Sequence, residues 1–319
     1  MPTTCPRPAG AMALALATIA TAACTSASTA NKASQHKALF VANNDSASIS
    51  IFEAATTSSS TPTNRLSGAN TGLQTPAWVA TDSVGNLYVT DPNANSIAVF
   101  AAGATGNSAP TATIQGSSTL LNAPTGIAVD NSGVIYVTGT SPGIIEAFAP
   151  GVNGNVPPLF TITGSATLLG GPRGIVRDGA GNLYVANKGE NAISVYPPGA
   201  SGNHAPDHII IGAATGLDGP AGIALAWTGQ IVVTNTTGNS VVVFDHGAVG
   251  NAIPLSMISG ASTGLNGPRG VAVDSAGQIF VANTGTNTIL IFAPGANGNV
   301  APVAMLTSTQ LGSPVGASF

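Results

Sequence analysis

The chain has 319 residues, of which only 6% are charged, while Gly and Pro number 40 and 22. Because few residues could build solvated helices, this composition favours an all-β, turn-rich protein. The 44% hydrophobic content supplies enough apolar surface for a folded body, which argues against disorder. The net charge of −4 and the scattered Lys and Arg offer no basic stripe for a phosphate backbone, so nucleic acid is not an expected partner.

The N-terminal part of the chain is predicted to direct export. Arg7 provides a positive charge, and residues 9–23 form an apolar run that is too short to span a bilayer well. We therefore interpret residues 1–23 as a signal peptide. Residues 24–37 are rich in Ser, Thr, Ala and Asn without periodicity, which indicates a flexible tether.

The end of this signal, Thr-Ala-Ala-Cys at 21–24, resembles a bacterial lipobox, in which small residues precede an acylated cysteine. The resemblance implies a lipid on Cys24 and anchoring to the cell envelope, at the outer membrane if the host has one. Thr21 stands where Leu is usual in that motif. The alternative is an ordinary secretory signal and a secreted protein, with Cys24 incidental. Contact with a membrane is expected only through such an anchor, and Cys5 and Cys24 leave the predicted body without a disulfide.

From residue 76 onward the sequence repeats with a period of 48 residues. Proline marks the period at Pro76, Pro124, Pro172, Pro220 and Pro268. An aromatic column follows it at Phe100, Phe148, Tyr196, Phe244 and Phe292. A fixed period near 40–50 residues indicates a solenoid or a propeller.

One repeat contains four short strands between turns. In the last repeat, residues 270–273 and 278–282 flank the turn Asp-Ser-Ala-Gly, which predicts a hairpin. A third strand is expected at 288–292 and a fourth around 303–306. Four antiparallel strands in each repeat are typical of a propeller blade.

The two ends of the predicted body complement each other. Residues 39–43 match the second strand at 279–283, so the body begins at a second strand. Residues 314–319 match 268–273 after a two-residue deletion, so the chain supplies one further first strand at its C-terminal end. Pairing of the two would remove two exposed sheet edges.

We therefore predict an all-β, six-bladed propeller over residues 38–319, closed by pairing of the C-terminal strand with the N-terminal strands. The expected blades are 38–76 with 315–319, 77–124, 125–172, 173–220, 221–268 and 269–314. A parallel β-helix is the alternative, but its coils are usually shorter and need no complementary ends.

The unit Pro-x-Gly-Ile-Ala-Val-Asp-x-x-Gly-x-Ile-Tyr-Val occurs at 124–137 and, with Arg177 intruding, at 172–185. It resembles the NHL repeat, and the resemblance covers residues 38–319. That family includes scaffolds, ligand receptors, lyases and lactone hydrolases. The resemblance therefore implies a propeller fold and leaves the function open.

Candidate ligand-binding residues are sorted by the face on which the loops emerge. The fourth-to-first and second-to-third loops of every blade share one face, and the second strands end there in a polar column. The column consists of Asn43, Asp91, Asn187, Asn235 and Asn283. Arg173 and Arg269 join it at the fourth-to-first loops, so this face is predicted to bind a polar or anionic ligand. The alternative is that the amides only cap turns. The repeated hairpin aspartates of the opposite face are interpreted as structural.

Two further candidates depart from the repeat. Trp78 stands where other blades have Gly, and it is interpreted either as a stacking platform at the channel or as a space filler. Arg177 replaces Val, Leu or Thr, and it is expected either to pair with a carboxylate or to face the ligand.

No catalytic or metal-ligating residue is assigned. The Gly-x-Ser-x-Gly pattern at 260–264 lacks the helix that follows a nucleophile elbow, and the loop histidines His204, His208 and His246 have no nearby carboxylate cluster.

The leading interpretation is a non-enzymatic cell-envelope propeller, without an assigned cofactor, that binds a small molecule, glycan or protein. The alternative is a metal-dependent lactone hydrolase or lyase of the NHL-like class, with a divalent metal in the channel.

Overall fold

The computed structural model describes residues 38–53 and 61–319. The predicted signal peptide, Cys24 and the tether lie outside the described residues. Helix in the described part is limited to 3-10 turns of three residues, at Ala69–Thr71, Ser117–Thr119, Ser165–Thr167, Ala213–Thr215, Ala261–Thr263 and Thr284–Thr286. No helix in these two ranges has the length and apolar character needed to cross a membrane.

The strands follow one another with the predicted period. The chain begins with β1 (Leu39–Asn43), β2 (Ser48–Phe52) and β3 (Asn64–Leu66). Next come β4 (Val79–Thr81), β5 (Leu87–Asp91), β6 (Ser96–Phe100), β7 (Ala112–Gln115), β8 (Pro124–Val129), β9 (Ile135–Gly139), β10 (Ile144–Phe148) and β11 (Phe160–Thr163). They continue as β12 (Pro172–Arg177), β13 (Leu183–Asn187), β14 (Ala192–Tyr196), β15 (His208–Ile211), β16 (Pro220–Leu225), β17 (Ile231–Asn235), β18 (Ser240–Phe244) and β19 (Ser256–Ser259). The last are β20 (Pro268–Val273), β21 (Ile279–Asn283), β22 (Thr288–Phe292), β23 (Ala304–Thr307) and β24 (Pro314–Ser318).

These strands form six antiparallel four-stranded sheets arranged as blades. Blade I contains β24, β1, β2 and β3, and blades II to VI take β4–β7, β8–β11, β12–β15, β16–β19 and β20–β23. The first strands of neighbouring blades pack against each other around the central channel. The predicted all-β, six-bladed architecture is confirmed.

The core lies between the blades. Apart from the half-buried Phe40 in β1, the second and third strands are buried along their whole length, because each blade is covered by a neighbour on both faces. Their Val-, Ile- and aromatic-rich sequences suit this position. The aromatic column that ends the third strands is fully buried at Phe52, Phe100, Phe148, Tyr196, Phe244 and Phe292.

The outer strand of a blade is held by the third-to-fourth loop of the next blade. Gly154 in one such loop pairs with Ile114 of β7, and its N–H donates to the carbonyl oxygen of Thr113 at 2.8 Å. Beside it, Asn155 Oδ1 accepts the N–H of Ser118 at 2.7 Å. The same pairing recurs at Leu66–Gly106, Ile162–Gly202, Ile210–Gly250 and Ile258–Gly298.

The hairpin aspartates are structural, as expected. Asp274 Oδ1 accepts the backbone N–H groups of Ala276 and Gln278 at 2.9 and 2.8 Å. Gly277 follows with a φ of +83°, a conformation that suits glycine in this tight turn.

The ring closes through β24, which pairs antiparallel with β1. Val41 lies opposite Ala317 and Phe40 opposite Ser318, and an irregularity follows before Asn43 meets Pro314. Phe319 is only half-buried and packs edge-on against Phe280, with ring centroids 4.9 Å apart. The predicted closure by the C-terminal strand is confirmed.

Removal of residues 315–319 should therefore open the ring. The deletion exposes the edge of β1 and removes the buried Val315 and Ala317 from the core, so aggregation or a large fall in melting temperature is expected against a typical domain stability of about 5–15 kcal/mol. Differential scanning calorimetry and light scattering measure both effects. Deletion of residues 25–36 is the control and should leave the transition in place. Equal behaviour of the two truncations would contradict the closure.

Candidate functional site

The channel mouth on the face of the fourth-to-first and second-to-third loops holds a cavity of about 420 Å³. Every blade contributes the residue after its leading proline, namely Ala77, Thr125, Arg173, Ala221, Arg269 and Val315. The second-to-third loops add Asn44, Pro92, Thr140, Ser141, Lys188 and Thr236. Trp78, Asn122 and Ala123 complete the lining. A cavity of this size suits a small-molecule ligand.

The backbone at the mouth is held by contacts between neighbouring blades. A Cβ atom on Gly126 would lie 2.1 Å from the carbonyl oxygen of Arg173, so only glycine permits this approach. Thr138 of the same blade donates its hydroxyl to that carbonyl at 2.5 Å and accepts the N–H of Gly126 at 2.8 Å. Thr234 donates in the same way to the carbonyl of Arg269. Both arginines thus extend from a fixed main chain.

Three cationic side chains meet at this cavity. Arg173 and Lys188 are half-buried, and Arg269 is exposed. Burial and the nearby Arg269 lower the pKa of Arg173, and burial together with both arginines lowers the pKa of Lys188. In the described part of the chain the sole salt bridge joins Arg177 to Asp130, so no carboxylate neutralises the three cations within salt-bridge distance. The mouth is therefore electropositive.

The structure places the predicted polar column inside the blades, away from the cavity lining. Asn43, Asp91, Asn187, Asn235 and Asn283 are fully buried. Their side chains brace neighbouring strands and loops, and they are not positioned to contact a ligand in this cavity.

The bonding of these residues explains their burial. Asn235 Oδ1 accepts the N–H of Asp218 at 3.1 Å, and its Nδ2 donates to the carbonyl of Gly216 at 2.8 Å. Asn283 makes the same two bonds one repeat later. Asp91 uses its carboxylate in the same place, where it accepts the N–H of Gln74 at 2.6 Å. In blade IV the residue that follows the column, Lys188, lines the cavity. It was not predicted as a site residue.

Trp78 is buried at the wall of the channel. It occupies the glycine position of blade II, where β4 has three residues and the other first strands have five or six. Its exposed fraction is 7%, and it belongs to the apolar cluster that includes Ile127 and Val315. Trp78 lines both the mouth cavity and a second cavity of about 310 Å³ at the opposite end of the channel. It is therefore a lining residue that the two cavities share.

Arg177 lies at the opposite end, on the lining of the second cavity. Its Nη1 is 3.7 Å from Asp130 Oδ2, and its guanidinium stands 5.8 Å from the centre of the Tyr136 ring. Arg177 thus pairs with a carboxylate and a ring of the preceding blade, while Arg173 faces the mouth.

Histidines do not form a metal site in the described ranges. His208 and His246 border a cavity of about 230 Å³ between blades IV and V, with Asp207 nearby. Across residues 38–53 and 61–319, no group of three His, Cys, Asp or Glu is arranged to hold a metal ion.

The strand order and the repeated units define a six-bladed β-propeller. Two segments, 217–244 and 265–292, match the NHL repeat model and span the first three strands of blades V and VI. The sequence resemblance to this repeat is thereby confirmed for those segments.

Solved structures share the architecture at low sequence identity. A protein of unknown function from Bacteroides caccae is 13% identical with a TM-score of 0.62, and the match covers 88% of this chain and 97% of that chain. A chain in the nidogen/laminin complex is 17% identical with a TM-score of 0.61 over the same shares. A streptogramin B lyase is 16% identical with a TM-score of 0.51, over 72% of this chain and 68% of that chain. These likenesses concern the fold alone. No curated protein matches the chain significantly.

In blade III a buried carboxyl group takes the place of the amide that the polar column has in blade IV. Gly139 takes the position of Asn187, and Glu146 takes that of Ser194, the hydroxyl to which Asn187 donates at 2.9 Å in blade IV. Glu146 Oε2 lies 3.9 Å from the place of a Cβ on Gly139, so the longer side chain occupies the space of the missing amide. Glu146 is fully buried and neither oxygen has a hydrogen-bond partner. Burial raises its pKa to about 8.

Glu146 should make stability depend on pH. The folded protein keeps this proton up to about pH 8, whereas the unfolded chain releases it near its ordinary pKa of 4.5. Stability should therefore fall as pH rises between these values, with a slope of up to about 1.4 kcal/mol per pH unit from this group. Glu146→Gln should remove that slope in denaturant titrations from pH 5 to 8. Glu190→Gln, at an exposed glutamate, is the control; an unchanged slope in Glu146→Gln would show that Glu146 is ionised in the folded state.

Proposed function

We propose that this protein binds a small anionic ligand at the channel mouth, without catalysis. The observation that carries the proposal is the convergence of Arg173, Lys188 and Arg269 on one cavity with no neutralising carboxylate in the described part of the chain. Like charges held together at a partly buried site repel each other. An anion between them would replace that repulsion with charge-assisted hydrogen bonds, and each guanidinium offers a fork that matches a carboxylate or phosphate.

The lining favours binding over chemistry. It contains no Asp, Glu, His or Cys, so the cavity offers no carboxylate or imidazole as general base or metal ligand. The alternative of a metal-dependent lactone hydrolase or lyase would need such groups in the channel. Stoichiometric divalent metal in the purified protein would favour that alternative.

Neutralising the mouth should abolish binding and spare the fold. Arg173→Gln with Arg269→Gln removes two guanidinium groups, each worth about ten-fold or more in affinity when it contacts a charged group. Isothermal titration calorimetry at low ionic strength, with D-galacturonate and cyclohexanecarboxylate as probes, should show saturable binding only to the parent protein. The melting temperature should not fall, because the substitution relieves repulsion.

The matched control is Arg177→Gln, which removes the same charge at the opposite end of the channel. It should leave anion binding unchanged. Equal loss of binding in the control, or no saturable binding of either probe to the parent protein, would overturn the proposal. Early unfolding of the double variant would show that the two arginines are structural.

We further propose that this binding takes place in the cell envelope, on the basis of the signal-like residues 1–23 and the lipobox-like segment ending at Cys24. Cys24→Ser should release the protein from the membrane fraction or leave it unprocessed. Cys5→Ser, inside the predicted signal peptide, is the control and should partition like the parent. Unchanged partitioning of Cys24→Ser would contradict the anchor.

A further inference from the structure

We propose that the anion is an acidic saccharide, a pyranose that carries a carboxylate. This inference rests on the proposed function and names its ligand class. It is based on the asymmetry of the mouth, since the two halves of the ring carry different chemistry around one cavity.

The cations occupy one half of the ring. Arg173 and Lys188 belong to blade IV and Arg269 to blade VI, so all three come from the contiguous blades IV to VI. Blades I to III face them across the channel and contribute no charged residue to the lining. A ligand that spans the mouth therefore meets positive charge at one end only.

The neutral half presents hydrogen-bonding groups. Asn44 Nδ2 donates to the carbonyl of Thr75 at 3.3 Å, and Asn122 Nδ2 donates to that of Ser141 at 2.8 Å. Each amide nitrogen uses one of its two N–H groups in this bond and keeps the other, so both amides offer an acceptor oxygen and a donor N–H. Thr140 adds a hydroxyl whose bond to the carbonyl of Pro172 is long, at 3.4 Å.

The uncharged polar groups select the other end of the ligand. They offer both acceptors and donors, which suits sugar hydroxyls, and they provide no positive charge for a second carboxylate or phosphate. This wall therefore favours a ligand with one anionic end and one hydroxyl-bearing end over a dianion.

The apolar part of the lining completes the match. Ala77, Trp78, Ala221 and Val315 are buried apolar residues of the cavity lining. A pyranose ring presents a C–H face of the same character, and burial of that face would add apolar contact beside the polar groups. A carboxylate, hydroxyls and a C–H face together describe a uronic acid.

The test is a calorimetric panel on the full chain at low ionic strength. D-galacturonate should bind about ten-fold more tightly than cyclohexanecarboxylate, which has the charge without the hydroxyls, and D-galactose should not bind measurably. Equal affinity for the two carboxylates would overturn the saccharide assignment and leave the anion site standing. Failure of both carboxylates to bind would overturn the two proposals together.

A second arm localises the effect to the neutral half. Asn44→Ala with Thr140→Val should weaken D-galacturonate by about three- to ten-fold and leave cyclohexanecarboxylate unchanged. The matched control is Thr284→Val, because Thr284 makes the equivalent bond to Pro314 at 2.6 Å and does not line the cavity. Equal losses in the double variant and the control, equal losses for the two carboxylates, or no loss at all would overturn the role of this wall.

Discussion

The ring depends on the close approach of neighbouring first strands. At Gly126 and Gly222 the missing side chain lets the backbone carbonyl of the next blade come within a distance that no Cβ would permit. A threonine from the second strand, such as Thr138, then joins the two backbones by bonding to both. This contact fixes the angle between blades, and with it the diameter of the channel and the position of every residue at its mouth.

The binding cavity follows from that constraint. Because each first strand is fixed immediately after its leading proline, the next side chain is presented to the channel in every blade. Four blades place Ala, Thr or Val there, while Arg173 and Arg269 occupy the position in blades IV and VI. The scaffold is therefore nearly six-fold in its backbone, and the charge distribution at the mouth is not. Trp78 breaks the backbone pattern as well, and it lines the cavities at both ends of the channel.

The fold could be predicted from the sequence because the 48-residue period presents each strand and turn pattern several times, which makes the prediction specific. The two ends of the body also match complementary strands of one blade. The site was harder to predict. Asn235 occupies a repeated position near the mouth, but its burial depends on how the entry loop folds over it, which no single repeat reveals. Lys188 follows Asn187 in the chain. It is a lysine at a position where the other blades have Asn, Pro or Thr, and this departure from the repeat is the signal that could have identified it. Arg177 ends a first strand and lies at the end of the channel opposite the mouth, so the loop rule could have separated it from the other candidate residues. The replacement of Asn by Gly139 and of Ser by Glu146 is visible in two columns of the repeat. Its meaning depends on the proximity of the two positions in the fold, which the sequence does not show.

The order of contacts along the chain also sets how the ring can form. At the described outer-rim junctions, each blade is joined to the one that follows it in sequence, as Ile114 is to Gly154. Closure is the exception, since it brings Phe40 to Ser318 across nearly the whole chain and carries the largest loss of loop entropy. Before β24 arrives, blade I is a three-stranded sheet with a bare inner edge. An open arc of blades is therefore the natural precursor of the ring, and its two unpaired ends are the surfaces that a nascent chain must keep apart from other copies of itself.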